Sequence, residues 1–92
     1  MTSPEPSTHA PTVPPDTRMR RFRGKLFVAN DGDAVELNEV GEFIFTRIDG
    51  TRTIAQIADL VATEYDIEAH EAIADICDFL AELATIGAVK TS

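Results

Sequence analysis

Few side chains in this sequence carry reactive or metal-binding chemistry. Cys77 is the single cysteine, and His9 and His70 are the two histidines. A nucleophilic thiol needs a base within hydrogen-bonding reach. His70 lies seven residues before Cys77 on roughly the same side of a helix, and two helical turns separate such positions by about 10 Å. That is too far for a direct hydrogen bond, so Cys77 reads as a buried structural thiol. No Cys/His spacing closes a metal site, and one cysteine cannot form an intramolecular disulfide. Glu68, Glu71, Asp75, Asp78 and Glu82 recur at spacings of three, four and seven, as on any solvated helical face. There is no Gly-rich phosphate loop. The residues point away from an enzyme and away from a cofactor or metal.

The elements that position these side chains belong to a short chain with an uneven charge. The 92 residues carry a net charge of −8. Arg18, Arg20, Arg21, Arg23 and Lys25 cluster in one segment, whereas Thr53 to Val89 holds eight acids and no Lys or Arg. A recognition helix for DNA brings bases to neutralise phosphates. Here the third helix, counting Glu68 at its start, brings five acids, which argues against nucleic acid, although Thr51 to Val61 resembles the start of a helix-turn-helix. The cationic cluster reads as charge that keeps an exposed sheet face and edge in solution. No apolar run approaches the roughly 18 residues that span a bilayer, and no signal peptide opens the chain. With one cysteine and no membrane segment, a reducing cytoplasm is the expected location.

Residues 1–16 hold all five prolines together with Ser, Thr and acids, the composition of a disordered tail. Residues 17–90 then form one domain of about 75 residues, enough for a single thin core. Three short strands are expected at Arg18–Phe22, Lys25–Ala29 and Ala34–Leu37, from apolar alternation or compact apolar runs. Arg23-Gly24 and Asn30-Asp31-Gly32-Asp33 supply the turns. Asn38 is a good N-cap for a first helix, with Glu39 and Glu42 near its positive end. Val40, Phe43, Ile44 and Ile48 share one face, and Asp49-Gly50 is the expected stop. Thr53 and Gln56 match a capping box that opens a second helix with Ile54, Ile57, Ala58 and Val61 inward. A third helix runs from about Ala69 to Ile86, where Gly87 stops it and Val89 folds back. The fold class is α+β, a three-stranded antiparallel sheet followed by three helices.

On the third helix, Ala72, Ile73, Ile76, Leu80 and Leu83 centre an apolar arc about 180° wide, broader than one packed layer needs. One border of the arc is the acidic face. The other is an uncharged flank of mostly small side chains, with His70, Ile73, Ala74, Cys77, Ala81 and Ala84. This flank either packs against the sheet or the first helix, or forms one wall of a groove for another chain.

Glu36-Leu37-Asn38-Glu39-Val40, Ile44 to Ile54 with Asp49-Gly50-Thr51-Arg52-Thr53, Ile57-Ala58 through Tyr65-Asp66, and Asp78-Phe79-Leu80-Ala81-Glu82-Leu83 with Gly87 resemble the PqqD family of peptide chaperones. These are leader-peptide recognition elements for ribosomally made, post-translationally modified peptides. The resemblance covers about Arg18 to Val89. The proline-rich tail and the weak cap at Glu68 depart from it. It implies a winged-helix-like, non-catalytic domain that binds a precursor's leader peptide and presents it to a modifying enzyme. That enzyme is commonly a radical S-adenosylmethionine (SAM) protein, or a leader peptidase in lasso-peptide systems. It also implies that the leader adds as a strand to the third strand and lies against the third helix. Carried onto this chain, the edge is Asp33, Ala34, Val35, Glu36 and Leu37, and the wall is Ile73, Cys77, Leu80, Ala81 and Ala84. An open strand edge can equally pair with its own copy and give a homodimer. A winged-helix DNA-binding regulator is the remaining alternative.

Overall fold

The computed structural model describes residues 10–30 and 32–90. Residues 1–9 of the expected tail, with His9, and Asp31 of the second turn lie outside them. The strands are β1 (Arg18–Phe22), β2 (Lys25–Asn30) and β3 (Asp33–Leu37), in the antiparallel order β1-β2-β3. Helices α1 (Glu39–Thr46), α2 (Ile54–Tyr65) and α3 (Ala69–Thr85) follow. The architecture is the expected α+β, winged-helix-like one. Arg23 and Gly24 both take positive φ, 53° and 78°, the two-residue turn whose twist suits a hairpin. Asn30 and Asp33, expected in the second turn, are instead the last paired residues beside it.

Register decides which sheet face is buried. Leu26 opposes Leu37 and Val28 opposes Val35, so these four share one face. Leu26, Val28 and Leu37 are buried and Val35 is half-buried, whereas all five residues of β1 are exposed. The helices therefore cover β2 and β3 and stop short of β1. Ile44 and Phe45 of α1, Ile54, Ile57, Ala58 and Val61 of α2, and Ala72, Ile76, Leu80 and Leu83 of α3 complete the core. Full burial of each Ile or Leu is worth about 1.5–3 kcal/mol.

The helix caps explain the boundaries. The Asn38 side chain accepts from Gly41 N at 2.7 Å, which starts α1 as its sequence implies. Its end differs from the expectation at Asp49-Gly50, because α1 stops at Thr46. Arg47 N and Ile48 N donate to Ile44 O and Phe45 O at 3.0 and 3.2 Å, a tightened three-residue spacing. The Asp49 carboxylate then accepts from Arg52 N at 2.8 Å and Thr51 N at 2.9 Å. Those backbone donors, first Arg52 and then Thr51, hold the Asp49 carboxyl down at about 2. In α2 both halves of the Thr53–Gln56 capping box form. Glu68 provides no side-chain bond to α3. After α3, Gly87 at φ 75° lets Ala88 N reach Leu83 O at 3.0 Å, and Ala88 and Val89 return to the core.

The proline-rich segment differs from a free tail where it is described. Pro11 is buried and Val13 packs on the core. Thr12 and Lys90 exchange two backbone bonds, at 2.7 and 2.8 Å, and Thr17 Oγ1 donates to Ala88 O at 3.1 Å. Composition alone suggests disorder, but two apolar side chains and a short bridge to the C-terminal segment hold 10–17 in place.

Candidate functional site

Strand β3 is an edge, and the turn chemistry fixes which of its backbone groups are free. A two-residue hairpin makes its closing pair a hydrogen-bonded one, here Asn30 opposite Asp33. Bonded and non-bonded pairs alternate in an antiparallel ladder, so Asp33, Val35 and Leu37 bond to β2. The N–H and C=O groups of Ala34 and Glu36 point to the other side. Among the described residues no strand pairs with that side. The side chains of Asp33, Ala34 and Glu36 are exposed, Val35 is half-buried, and Leu37 is 4% exposed. Glu36 pairs with Lys25 at 3.6 Å.

Two contacts tie the α3 segment to the elements on either side of this strand, β2 and α1. Asn30 Nδ2 donates to Gly87 O at 2.6 Å, at the end of the sheet where β3 begins. At the opposite end, just past Leu37, a Cβ on Gly41 would lie 3.0 Å from the Phe79 ring and 3.2 Å from Asn38 Oδ1. The C-terminal half of α3 thus runs antiparallel to β3. Six helical steps from Phe79 to Thr85 cover about 9 Å, with Ile86 and Gly87 continuing beyond the helix end, against about 14 Å for the four strand steps from Asp33 to Leu37.

This placement separates the two borders of α3. Phe79, at the β3–α1 junction, lies about 160° around the helix from Cys77 and Ala81. Ile86 follows seven residues later, about 20° from Phe79 on the same border. Phe79 and Ile86 are half-buried. On the other border Ile73 and Cys77 are half-buried and Ala81 and Ala84 exposed. Leu80, expected in a groove wall, is 1% exposed and lies in the core with Ile76 and Leu83. The expected set thus divides into the β3 edge, the small-residue border away from Phe79, and one core residue. Phe79 and Ile86 lie outside that set. The signal for Phe79 was Gly41, an unexplained glycine inside a helix.

His70 is exposed, with Nδ1 3.5 Å from Glu68. Among the described residues no three His, Cys, Asp or Glu side chains gather as a metal site, and no helix is long and apolar enough to cross a membrane.

Comparison with known proteins bears on the same segments. A family model for coenzyme PQQ synthesis protein D (PqqD) matches residues 13–89. The chain is 43% identical over 49 residues to a PqqA binding protein of Xanthomonas oryzae pv. oryzae (strain PXO99A), and 37% identical over 49 residues to one of Xanthomonas campestris pv. campestris (strain B100). Each match covers 53% of both chains, so the chain spans about half the length of the curated relatives it matches. Among solved structures, the PqqD truncation of Methylobacterium extorquens PqqCD, a stand-alone recognition element for ribosomally synthesised and modified peptides, superposes with a TM-score of 0.74 at 25% identity. That match covers 92% of this chain and 97% of the other. TbiB1, solved in complex with the TbiA(beta) leader peptide, shares the fold at a TM-score of 0.74 and 18% identity, over 86% of this chain and 94% of that one. With its strands, caps and third helix all inside the matched span, the chain belongs to the PqqD family.

Proposed function

We propose that this protein is a non-catalytic, cytoplasmic adaptor that binds the leader of a ribosomally made precursor peptide and presents it to a modifying enzyme. The leader adds as an antiparallel strand to β3. The observation that carries this reading is the open edge of β3, where Ala34 and Glu36 turn their N–H and C=O groups away from β2. Relatives named as PqqA binding proteins and a recognition element of the same fold support a peptide ligand.

Backbone pairing alone is insufficient. Four edge groups at a net of about 1 kcal/mol each give roughly 4 kcal/mol, a millimolar interaction. One or two leader side chains must enter apolar pockets, at about 1.5–3 kcal/mol each. Val35, Phe79 and Ile86 are half-buried apolar side chains suited to receive them, and the position of Phe79 at the end of β3 supports that border of α3 as the wall. The border of Ile73, Cys77, Ala81 and Ala84 is the competing wall.

The test is amide-resolved NMR titration with short precursor peptides from the neighbouring reading frames. Shifts at Asp33–Leu37 and along Phe79–Gly87 are expected, and shifts confined elsewhere overturn the reading. Ala81→Arg leaves affinity unchanged if Phe79 and Ile86 form the wall. Loss of binding in Ala81→Arg or Cys77→Arg, with the fold intact, transfers the wall to the small-residue border. The isolated protein leaves the precursor unaltered until a second protein, a radical SAM enzyme or a leader peptidase, is supplied.

A further inference from the structure

The other edge of the sheet has a different character. Every residue of β1 is exposed, and Met19 and Phe22, at 61% and 56%, are the two most exposed large apolar side chains among the described residues. Met19 opposes Val28 and so points to the helix side of the sheet, yet no helix reaches far enough to cover it. Phe22 shares the opposite face with Arg18 and Arg20, and Arg23 follows it in the turn. Arg21 bonds Glu42 of α1, but Arg18, Arg20 and Arg23 have no acidic partner among the described residues, in a chain of net charge −8. Arg23 instead lies over the Phe22 ring, its guanidinium carbon 5.3 Å from the centroid. Exposed Met, Phe and Arg together are the composition that interface centres favour.

The backbone is open here as well. Phe22 and Lys25 close a two-residue turn, so Phe22, Arg20 and Arg18 bond to β2 and the N–H and C=O groups of Met19 and Arg21 face outward. A second copy of the chain suits this edge poorly. Antiparallel pairing about a two-fold axis at Met19 sets Arg18 opposite Arg20, and centring on Arg20 or Arg21 sets that arginine opposite itself. Like charges directly opposite are destabilising.

The geometry points to β1 as a second docking edge, for a protein that presents an acidic strand. Its segment places Asp or Glu opposite Arg18 and Arg20 and an apolar residue opposite Met19, an acidic-apolar-acidic alternation. This inference rests on the adaptor reading in one respect: the partner is then the modifying enzyme, held at one edge of the sheet while the leader occupies the other.

The probe is a synthetic nonapeptide of alternating glutamate and valine, with a lysine–valine peptide as control, titrated into the full chain and followed by amide shifts. The acidic peptide is expected to shift the Arg18–Arg23 amides and leave Asp33–Leu37 unmoved, with affinity falling about tenfold between 50 and 500 mM salt. Arg18→Glu combined with Arg20→Glu, both exposed, is expected to abolish that binding while the thermal melt stays unchanged. Absence of shifts at millimolar peptide, equal binding of the lysine peptide, or shifts centred on β3 each overturn the proposal. So does a DNA duplex that moves the β1 amides where the acidic peptide does not, or a concentration-dependent shift of those amides in the protein alone. Leader binding at β3 is read at separate amides, so this edge and the adaptor reading fail independently.

Discussion

Replacing Ala34 by proline tests strand addition at β3 with little disturbance to the sheet. Ala34 is exposed and opposes Ala29 in a pair that the two-residue turn makes non-bonded. Its N–H points outward, so a proline there removes no bond to β2, and the edge of a sheet is where proline is tolerated. The bound leader, in contrast, loses the donor for one of its carbonyls. A polar group left unsatisfied at an interface costs about 1–3 kcal/mol, and at about 2 kcal/mol the dissociation constant rises roughly 30-fold. Val35→Pro is the opposing control, because the Val35 N–H faces Val28 and its loss breaks the β2–β3 ladder. That variant is expected to melt lower, by about 4–8 °C for each kcal/mol lost in a domain of this size. Titration calorimetry with the precursor peptide reads the first effect and circular dichroism melting the second. An Ala34→Pro protein that melts like the parent and binds the leader with the parent's affinity would refute strand addition at this edge.

Three further outcomes follow from the packing and the caps. Gly41→Ala gains about 1 kcal/mol of helix propensity but puts a Cβ 3.0 Å from the Phe79 ring; with overpacking at about 2 kcal/mol, the middle of its usual range, the net loss of about 1 kcal/mol lowers the melting point by about 4–8 °C, and Phe79→Leu in the same chain restores it. An unchanged melt for Gly41→Ala alone contradicts the close packing of α1 on α3. Thr53→Ala removes one half of the capping box and lowers stability by about 1 kcal/mol, read by chemical denaturation; no change means that Gln56 alone suffices. The Asp49 carboxyl is depressed from 3.8 to about 2, so its contribution is complete above 3.8 and is lost as pH falls through 2. Carboxyl NMR titration should place its midpoint near 2, and a midpoint near 3.8 removes the loop's claim on that side chain.

The local features of this chain are legible in its sequence because they are set by near neighbours. Arg23-Gly24, Asn38 and the Thr53–Gln56 box each act within four residues, and each appears where its residue types imply. Helix α1 ends earlier than its apolar periodicity suggests, because Ile48 keeps the helical spacing while the Asp49 carboxylate has already organised the next turn. Longer-range features are hidden. Pro11 and Val13 sit in a segment whose composition signals disorder, yet Pro11 is buried, Val13 packs on the core, and Thr12 between them bonds Lys90 near the C-terminus. A helical wheel gives the apolar arc of α3 an acidic border and an uncharged one, but only the Gly41–Phe79 approach, across 38 residues, says that the Phe79 side meets the end of β3. Leu80 follows the same rule: periodicity places it on the apolar arc, and tertiary packing alone assigns it to the interior.

The bridge between Thr12 and Lys90 has a consequence for anything covalently attached to this domain. Polypeptide leaving before Thr12 and polypeptide continuing after Lys90 depart from the same corner, close to Gly87 and the end of β2. A catalytic domain joined at either side would swing from one pivot, and its effective concentration at the leader would depend on linker length far more than on the order of fusion. The bridge makes N-terminal and C-terminal fusions geometrically equivalent.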